Sequence, residues 1–501
     1  MTAKRQLTSS QRTFFDRIST STFENPFSQS RLDADRSAVG ATGDMNLEEL
    51  LTRLLATLDE KLRAVADGHS IDVRNYNEAD RARLQISLLF SSFHRQRELI
   101  DAYIRDQIRG GDAPLPAPWA DRLFRELTAY GIEPSYAATC VAIFFQFRRA
   151  YYFISTSLLG NTSSMRRLRE QLWNAIFTCD TRLYVDSLWS KMEDFSTLLL
   201  GETGTGKGAA AMALGRSGYI PYLPEKRTFQ ESFTKAFLSI NLSQFSENLI
   251  ESELFGHRKG AFTGAVENHD GIFARCSRYG AIFLDEIGEV SEPIQIKLLQ
   301  VLQQRTFSPV GGHEVLRFEG RVIAATNRDL AVQRGNGKFR NDFYYRLSSG
   351  CIELPTLRQR IEENPKELEI LVTDIVKRLA GERDATLAGK ITAALQKDVP
   401  DAYAWPGNVR ELEQAARSVL LTGHYFGDAY LPTSPADDET RKVLEGRLSL
   451  DELNRWYGKR LYAKLGAYGP VAECLGVDWR TVKRLLHESP VREVRYHLSL
   501  R

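Results

Sequence analysis

Residues 197–208 read TLLLGETGTGKG, and this stretch decides the fold of the central part of the chain. A short apolar run ends at a glycine-rich loop of the pattern GxxxxGK, and a helical stretch follows. The glycines let backbone N–H groups turn toward phosphate oxygens, the lysine adds a positive charge, and the N-terminus of the next helix faces the anion. The loop therefore predicts a nucleotide site formed by Gly201, Glu202, Thr203, Gly204, Thr205, Gly206, Lys207 and Gly208.

Three further apolar runs, at residues 237–240, 281–284 and 322–325, are separated by helical stretches. Short apolar strands that alternate with helices are typical of a mostly parallel sheet with helices on both faces. The run at 281–284 ends in Asp285 and Glu286. We predict that Asp285 holds Mg²⁺, directly or through water, and that Glu286 polarises the water that attacks the γ-phosphate of ATP.

A polar amide, Asn327, follows the run at 322–325. It is predicted either to sense the γ-phosphate or to position the attacking water. Each of these signals also has a purely structural interpretation, because asparagine commonly ends strands and a pair of acids can cap a helix. Their order downstream of a phosphate loop favours the nucleotide site.

The composition describes a protein of several globular domains. The length of 501 residues corresponds to about three domains, and 43% apolar with 26% charged residues excludes collagen, a largely disordered chain and a polytopic membrane protein. Since 66 Lys+Arg against 64 Asp+Glu leaves +2, a nucleic-acid surface has to be a local patch. The five scattered cysteines form no CxxC pair and the start lacks an apolar signal segment, which predicts a cytoplasmic protein.

The first third, residues 1–164, is predicted to be an all-helical regulatory or docking domain with a flexible first 40 residues. From Leu47 to Val65, apolar residues recur at spacings of three and four and form one stripe. Further helices are predicted at 79–108, 119–130 and 135–159. The aromatic residues between Phe144 and Phe153 are interpreted as core, with a ligand pocket as the alternative. Neither alternating strands nor an acidic cluster indicates a phosphorylatable receiver domain.

The central motifs resemble those of the AAA+ ATPases, and residues 251–265, ESELFGHRKGAFTGA, narrow the resemblance. The GAFTGA hexapeptide is similar to the signature of bacterial enhancer-binding proteins, which activate RNA polymerase that carries sigma-54. The resemblance covers about 165–421 and implies an α/β ATPase subdomain at 165–355 and a helical lid at 356–422. It also implies that sigma-54 is contacted by Gly260, Ala261, Phe262, Thr263, Gly264 and Ala265.

The same resemblance implies roles for further polar residues. Asn241 matches the residue that restrains the catalytic glutamate, here Glu286. Arg340 and Arg346 match arginine fingers that reach the γ-phosphate held by a neighbouring subunit, which implies a ring of subunits, taken as a hexamer. Arg410 matches a lid arginine that senses the nucleotide of its own subunit.

Two features depart from the family pattern. Gly208 stands where the family usually has an acidic residue. Glycine in a helix costs up to about 1 kcal/mol relative to alanine, so we expect hydrolysis to be tuned there. The segment 216–235 is longer than the usual connection between the strands, and its role does not follow from the sequence.

The C-terminal part consists of a predicted linker at 423–444 and a predicted DNA-binding domain at 445–501. Residues 469–486, GPVAECLGVDWRTVKRLL, indicate a short helix, a Leu-Gly turn and a second, basic helix, as in a helix-turn-helix. The segment resembles the Fis-type DNA-binding domain of enhancer-binding proteins, which bind double-stranded DNA upstream of promoters. The residues expected to face DNA are Trp479, Arg480, Thr481, Lys483 and Arg484.

The sequence thus predicts a multidomain α and α/β protein that hydrolyses ATP with Mg²⁺, binds DNA and remodels sigma-54 RNA polymerase, without a membrane segment. Two alternatives remain. The chain could be an AAA+ remodeller of a different protein, which a test of sigma-54 binding separates. It could also be a DNA-binding regulator that binds ATP without turnover, which a measurement of phosphate release separates.

Overall fold

The computed structural model describes residues 4–41, 45–381, 385–400, 403–425 and 449–487. The chain divides into two compact units, residues 1–424 and 425–501, which we describe separately. Among the described residues, no helix has the length and apolar character needed to cross a membrane. All five cysteines are free thiols.

The first unit opens with helices alone. They are α1 (Ser9–Phe23), α2 (Gln29–Val39), α3 (Leu47–Ala66), α4 (Glu78–Gly110), α5 (Pro118–Ala129), α6 (Pro134–Ser157) and α7 (Ser163–Phe177). The predicted helices at 79–108, 119–130 and 135–159 are confirmed to within two residues at each end. Pro118 and Pro134 stand in the first turns of α5 and α6, where the missing N–H leaves no helical hydrogen bond unmade.

The prediction of flexible first 40 residues is wrong, because α1 and α2 are ordered helices. The serines and threonines that suggested a flexible arm act as helix caps. Thr8 and Gln11 form a capping box at the start of α1, and Ser28 accepts a hydrogen bond from the N–H of Arg31 at the start of α2. Phe15 and Ile18 of α1 are fully buried. This burial stabilises a segment whose composition looks polar.

A five-stranded parallel sheet forms the centre of the first unit, in the order β4-β5-β8-β1-β9. The strands are β1 (Thr197–Leu200), β4 (Phe237–Asn241), β5 (Ala281–Asp285), β8 (Arg321–Thr326) and β9 (Gly350–Glu353). Four of them confirm the predicted apolar runs, whereas β9 was not predicted. Two antiparallel hairpins lie outside the sheet, β2 (Tyr222–Leu223) with β3 (Thr228–Phe229), and β6 (Thr306–Phe307) with β7 (Leu316–Arg317).

Helices connect the strands and continue after β9. The connecting helices are α8 (Thr181–Leu183), α9 (Lys207–Gly215), α10 (Glu247–Phe255), α11 (Ile272–Arg275), α12 (Glu292–Gln304), α13 (Leu330–Gly335) and α14 (Asn341–Leu347). The helices after β9 are α15 (Leu357–Glu363), α16 (Glu367–Ala380), α17 (Ala385–Asp398) and α18 (Asn408–Thr422). These last four correspond to the predicted helical lid.

The sheet and the N-terminal helices share one apolar core. On the strands, Leu199, Phe283 and Ile323 pack in the cluster that contains α9 and the interior of α4–α7. Their neighbours Leu198 and Ile282 belong to a second cluster, because successive strand residues point to opposite faces. The predicted domain border at residue 164 therefore does not coincide with a break in packing.

The unexplained segment 216–235 forms the β2–β3 hairpin, which packs against α6. The rings of Phe145 and Phe229 lie 4.2 Å apart, and both residues are almost fully buried. Arg149 is also fully buried and donates hydrogen bonds to the carbonyl oxygens of Arg216 (2.8 Å) and Gly218 (2.6 Å). The extra length of this connection thus attaches the helical region to the end of α9.

The second unit contains α19 (Leu450–Leu465), α20 (Tyr468–Leu475) and α21 (Trp479–His487). Gly476 ends α20 with a φ of +64°, which suits the left-handed turn between the two short helices. Val471, Ala472 and Val482 form their small buried core. Most of the predicted linker at 423–444 and the ends of the predicted domain at 445–501 lie outside the described residues.

Candidate functional site

The phosphate loop joins β1 to α9, and its backbone takes conformations that favour glycine. Gly204 and Gly206 have φ values of +80° and +102°. A Cβ atom on Gly204 would collide with the carbonyl oxygen of Gly407, so this position accepts no side chain. At Gly208 a Cβ would meet no atom within 4 Å, and nothing in the structure explains why a glycine stands there.

Lys207 begins α9 and is largely buried beneath the loop. Its Nζ donates to the carbonyl oxygens of Gly201 (2.8 Å) and Glu202 (3.0 Å). Burial lowers the pKa of Lys207, while the nearby carboxylates of Glu286 and Asp285 act in the opposite direction. The ammonium group thus forms no ion pair with the described residues and is held by neutral carbonyls, an arrangement that an incoming phosphate would satisfy better.

The two predicted carboxylates lie at the carboxyl end of β5. Burial raises the pKa of Asp285, with Lys207 and Arg410 opposing the shift. Glu286 has a φ of +56°, an uncommon conformation for a residue with a side chain, which costs on the order of 1 kcal/mol. Such strain tends to persist at functional sites. In this conformation the Glu286 side chain accepts a hydrogen bond from the backbone N–H of Asn327, with 3.4 Å between the nitrogen and Glu286 Oε2.

The lid contacts the phosphate loop directly. Glu202 accepts a hydrogen bond from Arg358 (2.9 Å), and Asn408 donates to the carbonyl oxygen of Thr203 (3.0 Å). The N–H of Val409 donates to the carbonyl oxygen of Gly204 (3.1 Å). Asn408 itself has a φ of +52°. These contacts fix the segment that carries Arg410 beside the loop.

These elements enclose a cavity of about 530 Å³, which we call the nucleotide cavity. It is lined by residues 156–159, Met165, residues 203–209, Asp285, Glu286, Arg360, Leu371, Asp374, Ile375, Arg378, Val409, Arg410 and Glu413. Asn327 joins it through a 2.9 Å hydrogen bond to Thr203 Oγ1. The lining combines a phosphate loop, cationic side chains and an apolar wall, as binding of a nucleotide requires.

The residues present also fit Mg²⁺. Within the described part of the chain, no three His, Cys, Asp or Glu residues cluster as a complete metal cage. Mg²⁺ is usually held by one or two carboxylates together with water and substrate phosphates, and Asp285 and Glu286 supply such carboxylates. Gly208 offers no hydroxyl ligand.

Three residues predicted to take part in catalysis lie away from the nucleotide cavity. Asn241 faces Asp285 across neighbouring strands, but its Oδ1 accepts from the N–H of Ser243 (3.0 Å), and the described residues show no hydrogen bond between Asn241 and Glu286. Arg340 pairs with Asp342 (2.8 Å) and Glu292 (3.0 Å), which raise the pKa of its guanidinium. Arg346 donates to the carbonyl oxygen of Leu302 (2.8 Å).

The GAFTGA segment forms a tight exposed turn. The N–H of Gly260 donates to the carbonyl oxygen of Ala265 (2.8 Å), and Gly260 and Gly264 have φ values of +82° and +103°. Phe262 is 40% exposed, although its ring edge contacts His257, and Thr263 is exposed. Ala261 lies against Gly311, in the connection between β6 and β7.

In the second unit, the predicted basic helix is α21. Asp478 accepts a hydrogen bond from the N–H of Arg480 (2.8 Å), as an N-cap does. Trp479, Arg480, Lys483 and Arg484 are exposed, whereas Thr481 is half-buried beside Val482.

Sequence reasoning missed several residues of the nucleotide cavity. Arg358 and Asn408, which contact the loop beside the cavity, were missed as well, because these contacts follow only from tertiary structure. The stretch 156–159, at the end of α6, carried no sequence signal. Arg360 and Glu367 carried no sequence signal either. They form an almost fully buried ion pair (2.6 Å) within the lid.

Comparison with known proteins adds a match over part of the chain. Residues 185–353 match the sigma-54 interaction domain. The transcriptional regulatory protein ZraR of Escherichia coli K12 is 39% identical over 243 residues, which cover 48% of this chain and 51% of ZraR. The Nif-specific regulatory protein of Azotobacter vinelandii is 37% identical over 275 residues, covering 55% of this chain and 46% of that protein.

The chain spans about half the length of the curated relatives it matches. A crystal structure of NtrX from Brucella abortus is 23% identical and covers 70% of this chain and 73% of its own, with a TM-score of 0.40. Residues 185–353 are thus similar to a sigma-54 interaction domain, and both relatives are regulatory proteins.

Proposed function

We propose that this chain is an ATP-hydrolysing transcriptional activator that remodels the closed complex of sigma-54 RNA polymerase while bound to upstream DNA. One observation carries the proposal. Lys207, Asp285 and Glu286 meet at a single cavity, and all three lie inside the segment that matches the sigma-54 interaction domain.

The chemistry follows from the position of each group. Lys207 and the N-terminus of α9 bind the phosphates of ATP. Glu286 acts as the general base that polarises water for attack on the γ-phosphate, and Asn327 steadies its carboxylate. Asp285 would hold Mg²⁺, directly or through water, and the ion supplies charge that neutralises the phosphate oxygens. Arg410, which belongs to the lid, senses the nucleotide bound to the same subunit.

The exposed turn at 260–265 is proposed as the contact with sigma-54. The glycines at its two ends permit the tight turn, and Phe262 and Thr263 present an apolar ring and a hydroxyl at its tip. Nucleotide-dependent movement of this turn would transmit the energy of hydrolysis to the polymerase.

Assembly and DNA binding complete the proposal. Arg340 and Arg346 lie outside the nucleotide cavity of their own subunit, which supports a role toward the γ-phosphate of a neighbour in a ring, proposed as a hexamer. The exposed basic residues Arg480, Lys483 and Arg484 support contact of α21 with double-stranded DNA. Free thiols at all five cysteines are in keeping with the cytoplasm.

The proposal is tested by measuring phosphate release and open-complex formation with sigma-54 RNA polymerase on the same preparations. Thr263→Ala is expected to keep ATP hydrolysis within about twofold and to abolish open complexes, because residues 260–265 do not line the nucleotide cavity. Val266→Ala is the matched control, since Val266 is 71% exposed and lies just outside the hexapeptide. It should leave both activities unchanged.

Equal loss of both activities in Thr263→Ala would mean that the turn is structural. Binding of purified sigma-54 to the ADP–aluminium fluoride state gives a second check. If sigma-54 fails to bind that state while ATP is hydrolysed, the chain remodels a different protein.

A further inference from the structure

The N-terminal helices enclose a second cavity, of about 620 Å³, between residues 22 and 186. We call it the helical cavity. Its walls are mainly apolar and include the rings of Phe90, Phe93, Phe144, Phe147, Tyr151 and Trp173. Protein interiors are close-packed and keep few voids larger than a water molecule. A space of this size, inside helices that are otherwise well packed, has the dimensions of a small-molecule site.

His94 is one of the polar residues that line this cavity. The ring of His94 lies between the rings of Phe90 (4.4 Å between centroids) and Phe93 (5.0 Å). It keeps part of its surface accessible and makes no hydrogen bond to any residue that the structure describes. Burial, reinforced by Arg31 and two other arginines, holds the pKa of His94 well below its usual range. The neutral imidazole therefore offers a ligand both a hydrogen-bond donor and an acceptor.

Several arginines of the lining are already paired with carboxylates. Arg31 pairs with Asp35 (2.8 Å), and Arg148 pairs with Asp101 through Nε (2.6 Å). Because these guanidinium groups already have carboxylate partners, an anionic ligand would have to displace them. A cationic ligand would be repelled by Arg31, Arg97 and Arg148, which lie near enough to His94 to lower its pKa. The chemistry of the cavity thus favours an uncharged molecule.

We propose that the helical cavity binds a small, uncharged, ring-containing molecule that hydrogen-bonds to His94, and that this ligand changes the affinity of the nucleotide cavity. The binding site itself is independent of the proposed function. Only the coupling depends on it.

Two helices extend from one cavity to the other. Tyr151 of α6 lines the helical cavity and Thr156 of the same helix lines the nucleotide cavity, a rise of about 7.5 Å along the helix. Trp173 of α7 lines the helical cavity and Met165 of α7 lines the nucleotide cavity. A ligand that shifts either helix must alter both sites. By thermodynamic linkage, nucleotide must then change the affinity for the ligand by the same factor.

The experiment titrates the full-length protein with N-phenyl-1-naphthylamine, an uncharged fluorescent aromatic probe, and in parallel with anionic anilinonaphthalene sulfonate. Saturable binding of the uncharged probe is expected. Two variants fill the cavity, Ile143→Trp from α6 and Leu51→Trp from the half-buried edge of α3. Each of these variants should lower the affinity for the uncharged probe at least tenfold. Val332→Trp, at a position 57% exposed on α13, should leave that affinity unchanged.

Thermal unfolding of each variant shows whether it folds. If Ile143→Trp, at a buried position, fails to fold, Leu51→Trp carries the test alone. ADP affinity, measured by calorimetry with and without saturating probe, should change at least threefold, with a matching change in probe affinity. The site is refuted if the uncharged probe does not saturate, if the sulfonate binds in its place, or if a folded filling variant binds it normally. An unchanged ADP affinity refutes the coupling, whereas absence of ADP binding refutes the proposed function and leaves the probe titration valid.

Discussion

The nucleotide cavity and the helical cavity have similar volumes, about 530 and 620 Å³, but they are built in opposite ways. Seven lining residues of the first cavity form one continuous run, 203–209, which is rich in glycine, and the others come from residues 156 to 413. The second cavity is lined by side chains spread over residues 22–186. The proposed phosphate-binding loop is therefore encoded locally, whereas the apolar cavity is a property of tertiary packing.

The largest effect is expected from removing residues 1–164, because the two regions share one core. A chain that begins at Met165 would expose Phe229 and Phe233, both about 1% exposed in the intact protein. Burying such a ring contributes about 1.5–3 kcal/mol, and several exposed rings together approach the 5–15 kcal/mol that stabilises a typical domain. We expect aggregation or loss of a cooperative thermal transition, measured by size-exclusion chromatography and circular dichroism.

A chain that ends at residue 424 is the matched control and should stay folded, because residues 1–424 form a compact unit. If the chain from Met165 were monodisperse and melted cooperatively, the two regions would be independent. Deletion of the helical region therefore does not by itself distinguish an inhibitory sensor from a structural partner.

The next effect is confined to the nucleotide cavity. Glu286→Gln keeps the shape of the side chain but removes the base, so ATP turnover should fall about 10²–10⁴-fold while ADP affinity stays within about threefold. The control is Glu289→Gln, because the Glu289 carboxylate pairs with Arg328 outside the cavity. Steady-state phosphate release and ADP calorimetry measure both quantities. Turnover that survives in Glu286→Gln would move the catalytic base elsewhere.

The sequence predicts the features that are encoded locally and misses those that depend on tertiary packing. The residues of the loop, the strands β1, β4, β5 and β8, and the acids after β5 follow from local patterns. The edge strand β9 was missed because only Ile352 is buried in it, so no apolar run marks it. Contacts such as Asn408 with Thr203 join residues more than 200 positions apart and leave no local trace.

The helical region shows the limit more clearly. Its helices were predictable from apolar spacing, but serine and threonine caps in α1 and α2 were mistaken for a flexible arm. The aromatic residues of α6 were interpreted as core, and this holds for Phe145, whereas Phe144, Phe147 and Tyr151 also line the helical cavity. The periodicity of a helix does not tell whether the space that it faces is filled.

A moderate effect is expected at the connection between the two regions. Arg149→Met leaves the carbonyl oxygens of Arg216 and Gly218 without their donor inside the core, which should lower the free energy of unfolding by about 2–4 kcal/mol. Arg95→Met is the control, because Arg95 is half exposed and its pairing with Asp59 contributes at most about 1 kcal/mol. Chemical denaturation measures both. Equal losses in the two variants would mean that Arg149 does not couple the regions.

The smallest effect concerns the outer edge of the helical region and depends on pH. The buried carboxylate of Asp80 accepts hydrogen bonds from Arg12 (2.7 Å) and from the N–H of Leu7 (3.0 Å), and Arg12 is the main cause that holds its pKa well below the usual range. The unfolded state then binds the proton more tightly than the folded state. This contribution to stability is therefore complete above about pH 4 and is lost as the pH falls further.

Asp80→Asn should consequently increase hydrogen exchange in α1 at pH 7, and its difference from the wild type should shrink below about pH 4. Asp33→Asn is the control, because Asp33 is exposed and lies 3.7 Å from its partner Arg36. Since α1 contributes Thr22 and Phe23 to the helical cavity and nothing to the nucleotide cavity, Asp80→Asn should weaken the naphthylamine probe but leave ADP affinity unchanged. A difference in exchange that stays constant from pH 7 to pH 3 would show that the Asp80 carboxylate does not hold α1 through its charge.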